Sequence, residues 1–292
     1  MIKFGRKYRL TIQMTQSEDA IVIEPPFSLF FNINRSTMAT VNDASIQIYN
    51  LSKQTRDLIF QDWFNQAVYR RVILEAGYGD KLNVIFSGNL FRAQSRRNGA
   101  DIITELYAFD GGFDTYRTQS HITLAAGTKQ SDLAKTLISD FAQVKLGAIT
   151  ENAMNTVFKR PVSVSGNTYQ NMLKYFDKEF FIDNEVAHVL GTSDILDVGD
   201  IPVLSAENGL LESPIREDAR LSAKMLFMPD IQIGQAAELN AKVMTNYNGQ
   251  FKVIGIRHVG LISEAIGGDC YTQIDLLLPN LIGGSALNVV TQ

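Results

Sequence analysis

Along most of this chain apolar and polar residues alternate one by one, while in its middle they recur every three or four positions. The first pattern predicts half-buried strands and the second amphipathic helices. In Ala44–Asn50, Ala44, Ile46 and Ile48 face one way, while Ser45, Gln47 and Tyr49 face the other. Arg71–Ala76 and Leu82–Arg92 predict two further strands, joined through a turn at Gly77-Tyr78-Gly79-Asp80. Asn98-Gly99 separates Phe91–Arg96 from Asp101–Phe109, a strong hairpin signal. A second Asn-Gly pair, Asn248-Gly249, precedes the alternating run Phe251–Val259, and Gly267-Gly268-Asp269 leads into a last strand at Cys270–Leu278. Pro214 and Pro229 bracket a strand at Leu221–Met228, where proline is tolerated only at an edge or an end. Both ends of the chain are mainly β.

In the middle, Leu133, Leu137 and Phe141 fall at i, i+4, i+8 after Gly127-Thr128. This predicts a helix with Thr128 as N-cap, Asp132 in its first turn and Gly147 beyond its end. A second helix starts at Asn167 or Thr168 and buries Tyr169, Met172 or Leu173, and Phe176. Phe180–Leu190 reads as a small hairpin turning at Asp183-Asn184, and a short helix over Lys53–Trp63 is capped by Ser52. These changes of period place boundaries near residues 118 and 193. They give three modules at 1–117, 118–192 and 193–292, with Ile195–Leu210 expected to return towards the first.

Composition narrows the chemistry. The chain has 292 residues, 45% hydrophobic and 20% charged, which excludes a disordered polypeptide. Its 27 basic residues against 31 acidic ones exclude a basic nucleic-acid clamp. Residues 1–120 hold 14 basic and 12 acidic side chains, so the acid excess belongs to residues 121–292. A single cysteine, Cys270, excludes an intramolecular disulfide framework and a multi-cysteine zinc site. The N-terminus lacks the apolar core of a signal peptide. The longest uncharged stretch, Leu276–Gln292, is broken by Pro279 and Gly283-Gly284, so no membrane insertion is expected.

Sequence signatures of catalysis are absent: no GxSxG elbow, no phosphate-binding GxxxxGK[ST] loop, no GxGxxG opening a helix. His121, His188 and His258 are widely separated. Asp183, Glu185 and His188 are near one another, but a tight hairpin makes Asp183 a turn residue and sends Glu185 and His188 to opposite faces. His258 on a strand and Cys270 at a strand start read as buried structural groups. Arg92, Arg96 and Arg97 border the Asn98-Gly99 hairpin and read as a solvated tip or a partner contact. No catalytic, cofactor-binding or metal-ligating residue is assigned, and no cofactor and no enzymatic activity are expected.

Three segments together resemble a known family. They are Ala44–Ser52 (ASIQIYNLS) with Thr55, Val72–Tyr78 (VILEAGY) and Ile85–Gly88 (IFSG); Asp110-Gly111 with the Gly127-Thr128 helix start; and Asn208–Arg216 (NGLLESPIR) running through Met225–Pro229 to Ile233–Gln235. In this order and spacing the chain resembles the central baseplate hub proteins of phage tails. The resemblance implies a mainly β fold with an α+β insert: two tail-tube-like β-barrel modules and a small α/β module. It also implies a structural role, as a homotrimer ring joining the tail tube to the central spike, with DNA only passing through the lumen. Tail tube protein, spike protein and other baseplate proteins are then the partners. The site is the tail baseplate of the virion, of a contractile tail by preference, after synthesis in the host cytoplasm. Glu105 and Asp275 are candidates for an acid-lined lumen, and Lys3–Arg9 and Asn280–Gln292 for contacts with neighbours. A chain of 292 residues carrying three such modules holds no lysozyme or needle module. A glycan-binding or glycan-cleaving tail component is the alternative, and a tube terminator or adaptor shares the fold.

Overall fold

The computed structural model describes residues 4–14, 19–38, 40–62, 69–150, 156–217, 219–277 and 288–290. The first module comprises β1 (Arg6–Gln13), β2 (Ala20–Ile23), β3 (Leu29–Ser36), β4 (Asp43–Tyr49), α1 (Lys53–Ile59), β5 (Arg71–Tyr78), β6 (Lys81–Asn98) and β7 (Asp101–Phe109). Alternation is strict: on β3, Leu29, Phe31 and Ile33 are buried and the residues between them are not. Ser52 caps α1 by accepting from Thr55 N at 3.1 Å, which fixes how the helix leaves the sheet. The helix ends at Ile59; the end expected at Trp63 lies outside the described residues. Asn50, at φ +60°, pairs its side chain with Asp101 Oδ1 and Ile102 N, both at 2.9 Å, and so stitches the end of β4 to the β6–β7 tip.

The insert follows: α2 (Gly112–Arg117), β8 (Gln119–Leu124), α3 (Gln130–Ser139), β9 (Lys145–Ile149), β10 (Val162–Asn167), α4 (Thr168–Phe176), β11 (Phe180–Asp183) and β12 (Val186–Val189). Asn167 caps α4, accepting from Gln170 N at 2.9 Å. Thr128 does not cap α3. Its hydroxyl donates to Ala125 O, its carbonyl accepts from Phe158 N, and Lys129 takes the cap position without a side-chain bond. Gly147 lies inside β9, where a Cβ would run into the His188 ring at about 2.5 Å.

The third part has β13 (Asp194–Leu196), β14 (Val203–Ser205), β15 (Ile215–Glu217), β16 (Arg220–Leu226), β17 (Ala236–Asn240), β18 (Gly249–Ile262), β19 (Cys270–Leu277) and β20 (Asn288–Val290). Ile195–Leu210 does not return to the first module. β13 pairs with β20, β14 with β17, and Leu210 bridges Met225, so its apolar side chains complete the core of its own part.

Strand pairing unites the two β parts. One 13-stranded sheet runs β15-β16-β19-β18-β3-β4-β7-β6-β5-β1-β2, with β17 and β14 attached through β18. β18 and β3 form the junction, from Gly255↔Ser36 to Ile262↔Leu29. The mainly β class with an α+β insert is what the chain adopts. The barrel-like parts are open, since among the described residues the sheet does not close on itself. Three apolar clusters lie beneath it, around Phe31 and Leu106, around Leu133 and Phe180, and around Leu221 and Ile274.

Candidate assembly surface and the clasp behind it

Register assigns every residue of the central sheet to one of two faces. Phe31, Ile46, Leu106 and Ile274 lie on the core face. The opposite face carries Asn32, Ser45 and Tyr107 in one lateral row and Phe30, Gln47, Glu105 and Gln94 in the next. Glu105 and Asp275, the two lumen candidates, both point to this polar face. The acid-rich lining expected for it is not what it carries. Arg92, Arg96, Arg220, Lys224 and Arg257 interleave with Asp43, Glu105, Glu217 and Asp275. The reason is cross-strand pairing: Arg96–Glu105 at 2.9 Å, Arg220–Asp275 at 3.0 Å, Arg220–Glu217 at 2.6 Å, and Asn34 on Asp43 at 3.3 Å. Burial raises the Asp275 carboxyl despite Arg220. Residues 193–292, with 6 basic and 12 acidic side chains, hold the acid excess, much of it outside this face at Asp197, Asp200, Glu207 and Asp230.

The sheet also has open edges. β5 pairs with β6 as far as Asn89 and Gln61 bridges Ala93, so among the described residues the last five residues of β6, Gln94–Asn98, are paired on one side alone. At the other end, among the described residues, β15 pairs only with β16, and Ile215 is exposed. The three hairpin arginines hold this tip in shape. Arg92 lies 5.1 Å from the Tyr107 ring centroid, Arg96 pairs with Glu105, and Arg97 Nε donates to Gly99 O at 3.0 Å. The N-terminal basic residues are engaged within the chain: Arg6 on Gly268 O, Lys7 on Asp80, Arg9 on Glu24. Lys3 and most of Asn280–Gln292 lie outside the described residues.

Behind the sheet, the β11–β12 hairpin is clasped to the first module by buried polar groups. Its turn is centred on Asn184 and Glu185, at φ +52° and +64°, one residue later than expected. Arg35 of β3 grips Asp183 with Nε at 2.8 Å and Nη2 at 2.5 Å. Asp110 accepts from Asn184 N at 2.6 Å and Glu185 N at 2.7 Å. Asn184 Oδ1 accepts from Ser87 N at 2.8 Å, and Glu185 receives Ser87 Oγ at 2.9 Å and Arg71 at 2.5 Å. Asn42 accepts from Ser36 N and donates to Ile182 O, both at 2.8 Å. Three carboxylates thus face two guanidiniums. Burial, then Asp183 and Glu185, push the Asp110 carboxyl up to about 8, although two backbone N–H groups oppose the rise.

Asp183, Glu185 and His188 are therefore not one cluster. His188 lies behind the hairpin, stacked on Phe181, with Nδ1 accepting from Ala148 N at 3.1 Å. Burial lowers its pKa to about 4. His258 is buried with Nδ1 2.9 Å from Thr272 Oγ1, and burial raises the Cys270 thiol. Among the described residues no group of three or more His, Cys, Asp or Glu is placed to hold a metal ion, and no helix is long and apolar enough to cross a membrane. Sequence reasoning missed Arg35, Asn42 and Arg71; Asp110 was noticed only as part of a motif.

The fold is that of known tail proteins. The 43 kDa tail protein of prophage MuSo2 from Shewanella oneidensis superposes with a TM-score of 0.61 at 9% identity, over 94% of this chain and 99% of that one. A tail protein from Neisseria meningitidis MC58 gives 0.58 at 10% identity, over 97% and 99%. The E. coli c3393 protein, a type VI secretion component with structural similarity to the T4 tail proteins gp27 and gp5, gives 0.53 at 8% identity, over 92% and 76%. No curated protein sequence matches the chain significantly. The family model for baseplate hub gp41 matches residues 8–259. The chain therefore belongs to the baseplate hub gp41 family and is a structural protein of the phage tail baseplate.

Proposed function

We propose that three copies of this chain close into a ring around the tail channel, joining the tail tube to the spike. One observation carries this reading: the eight-strand run from β15 to β6, antiparallel at every step. An even number of alternating strands ends on two strands of opposite direction. The open edge of β6 in one copy then meets β15 of the next as an antiparallel pair, and the pattern continues without a break. Such a head-to-tail contact closes into a ring and covers the β15 edge and the open stretch of β6.

Size is consistent with a channel. Three runs of eight strands make 24. At about 4.8 Å per strand they enclose a circumference of roughly 115 Å and a backbone diameter of about 37 Å, before tilt widens it. That exceeds the 16–18-stranded porins, which already hold water-filled channels. The apolar cores turn outward in this arrangement and the polar face inward. Its basic side chains interleave with acids and offer DNA no basic track, which suits passage without binding.

Within each copy, the modules 1–117, 118–192 and 193–292 each contribute most of one apolar cluster, with Phe227, Ile262 and Cys270 packing into the first and Ala148, Phe181 and Leu190 into the third, and the clasp orients the middle module on the outer side of the ring. No chemical step is assigned to the chain; tube, spike and other baseplate proteins are its partners. Light scattering on the purified chain tests the ring. The expected mass is three times 32.5 kDa, and a monomer at micromolar concentration overturns it.

A further inference from the structure

At the base of the β6–β7 hairpin a cavity of about 180 Å³ opens beside α2, lined by Leu90, Phe91, Phe109, Phe113 and Tyr116. A β-bulge between Leu90 and Arg92 shifts the register and re-aims Phe91, whose ring meets Phe109 edge-on at 5.3 Å. Tyr116 stands 69% exposed at the rim. Two polar groups border the cavity. Arg117 is held 5.0 Å from the Phe113 ring centroid. Asn89 is buried, with Oδ1 accepting from Phe113 N at 3.0 Å and its amide N–H facing the Tyr69 hydroxyl.

Arg117 presents its N–H donors at the rim, and apart from the Tyr116 hydroxyl the surrounding rings offer no acceptor. The complementary occupant is a bulky apolar side chain with a carboxylate beside it. A sugar fits poorly, because its hydroxyls would be buried unpaired against phenyl rings. Concentrated aromatic and arginine residues are the composition of interface hot spots. We propose that this cavity is a docking site for an apolar residue adjoining a carboxylate, presented by a peptide segment of a different tail protein. A second copy of this chain is excluded on the ring reading, on which this clause alone rests. At Asn89 and Leu90 the edge of β6 is still covered, through Arg71 and Arg70, so the seam between copies ends before the cavity.

The test uses the full chain and N-acetyl-phenylalanine as probe, with N-acetyl-phenylalaninamide as control, followed by saturation-transfer NMR. Saturable binding of the acid is expected, about fivefold tighter than the amide, the advantage of a partly exposed ion pair. Arg117→Gln should erase that difference, and Tyr116→Ala should weaken both probes; both residues are at the rim, and a melting curve checks that each variant is folded. Equal affinity for acid and amide, no saturable binding, or an acid preference that survives Arg117→Gln overturns the proposal. Displacement of the acid probe by an N-acetylglucosamine tetramer overturns it in favour of a glycan site. A fall in native mass on Tyr116→Ala overturns it in favour of a contact between copies. A monomeric wild-type chain that still prefers the acid sinks the ring and leaves the cavity's chemistry intact.

Discussion

Asp110 is where the account is sharpest at the level of single residues. Its carboxyl satisfies the two backbone N–H groups of a tight turn whose backbone is otherwise hard to satisfy away from water. An acid raised to about 8 when folded, from an ordinary value near 4, binds more protons native than unfolded between those limits. Its contribution to stability is thus fully present at low pH and is lost as pH rises through about 8. Urea denaturation from pH 5 to 9 should show the stability of wild type falling relative to that of Asp110→Asn as pH rises, and a difference that stays constant or moves in the wild type's favour would contradict the assignment. His188 has the opposite sign, adding stability as pH rises between about 4 and 6.5, so the comparison with the variant isolates Asp110. Arg35→Ala strands Asp183 and should lower stability by about 3–5 kcal/mol, read by the same method. Two glycines of one turn separate two causes. A Cβ at Gly77 would collide with the Lys81 carbonyl, whereas Gly79 has open space and φ +59°. Gly77→Ala should cost about 1–3 kcal/mol as an overpacking strain, and Gly79→Ala about 1–2 as a left-handed backbone; thermal melts rank the two.

At the scale of elements, the alternating runs were legible because one face of each strand is buried and the other is not. β4, β7, β18 and β19 follow from that alone. Leu29–Ser36 carries the same signal as clearly, with Phe31 and Ile33 against Asn32 and Asn34. The clasp was hidden for a physical reason. Arg35, Asp110 and Asp183 are 73–148 residues apart in pairs and look like ordinary surface charges until the β11–β12 tip is folded against β3. The Thr128 cap failed because a neighbouring strand-like segment, Thr156–Phe158, claimed the backbone first. Edges were equally unreadable, since a strand's sequence does not say which side is paired. They now carry a prediction: Ile215→Lys, at an exposed edge position, should leave the melting temperature unchanged within about 2 °C while shifting the trimer towards monomer in light scattering. A trimer of undiminished mass would remove β15 from the seam.

For the whole molecule, charge and topology together suit the proposed three-copy ring. The net charge of −4 is not spread as a lining; it gathers in residues 193–292, mostly away from the sheet's polar face. On the proposed ring, closure of the open sheet would belong to the assembly, which the parity of its eight-strand run permits. Electron cryomicroscopy of the assembled hub tests this most directly. The account predicts a three-fold ring on the tail axis, with one continuous antiparallel sheet crossing from β6 of each copy to β15 of the next and Glu105 and Asp275 facing the lumen. A ring whose copies meet through other elements, or a chain lying off the axis, would contradict it.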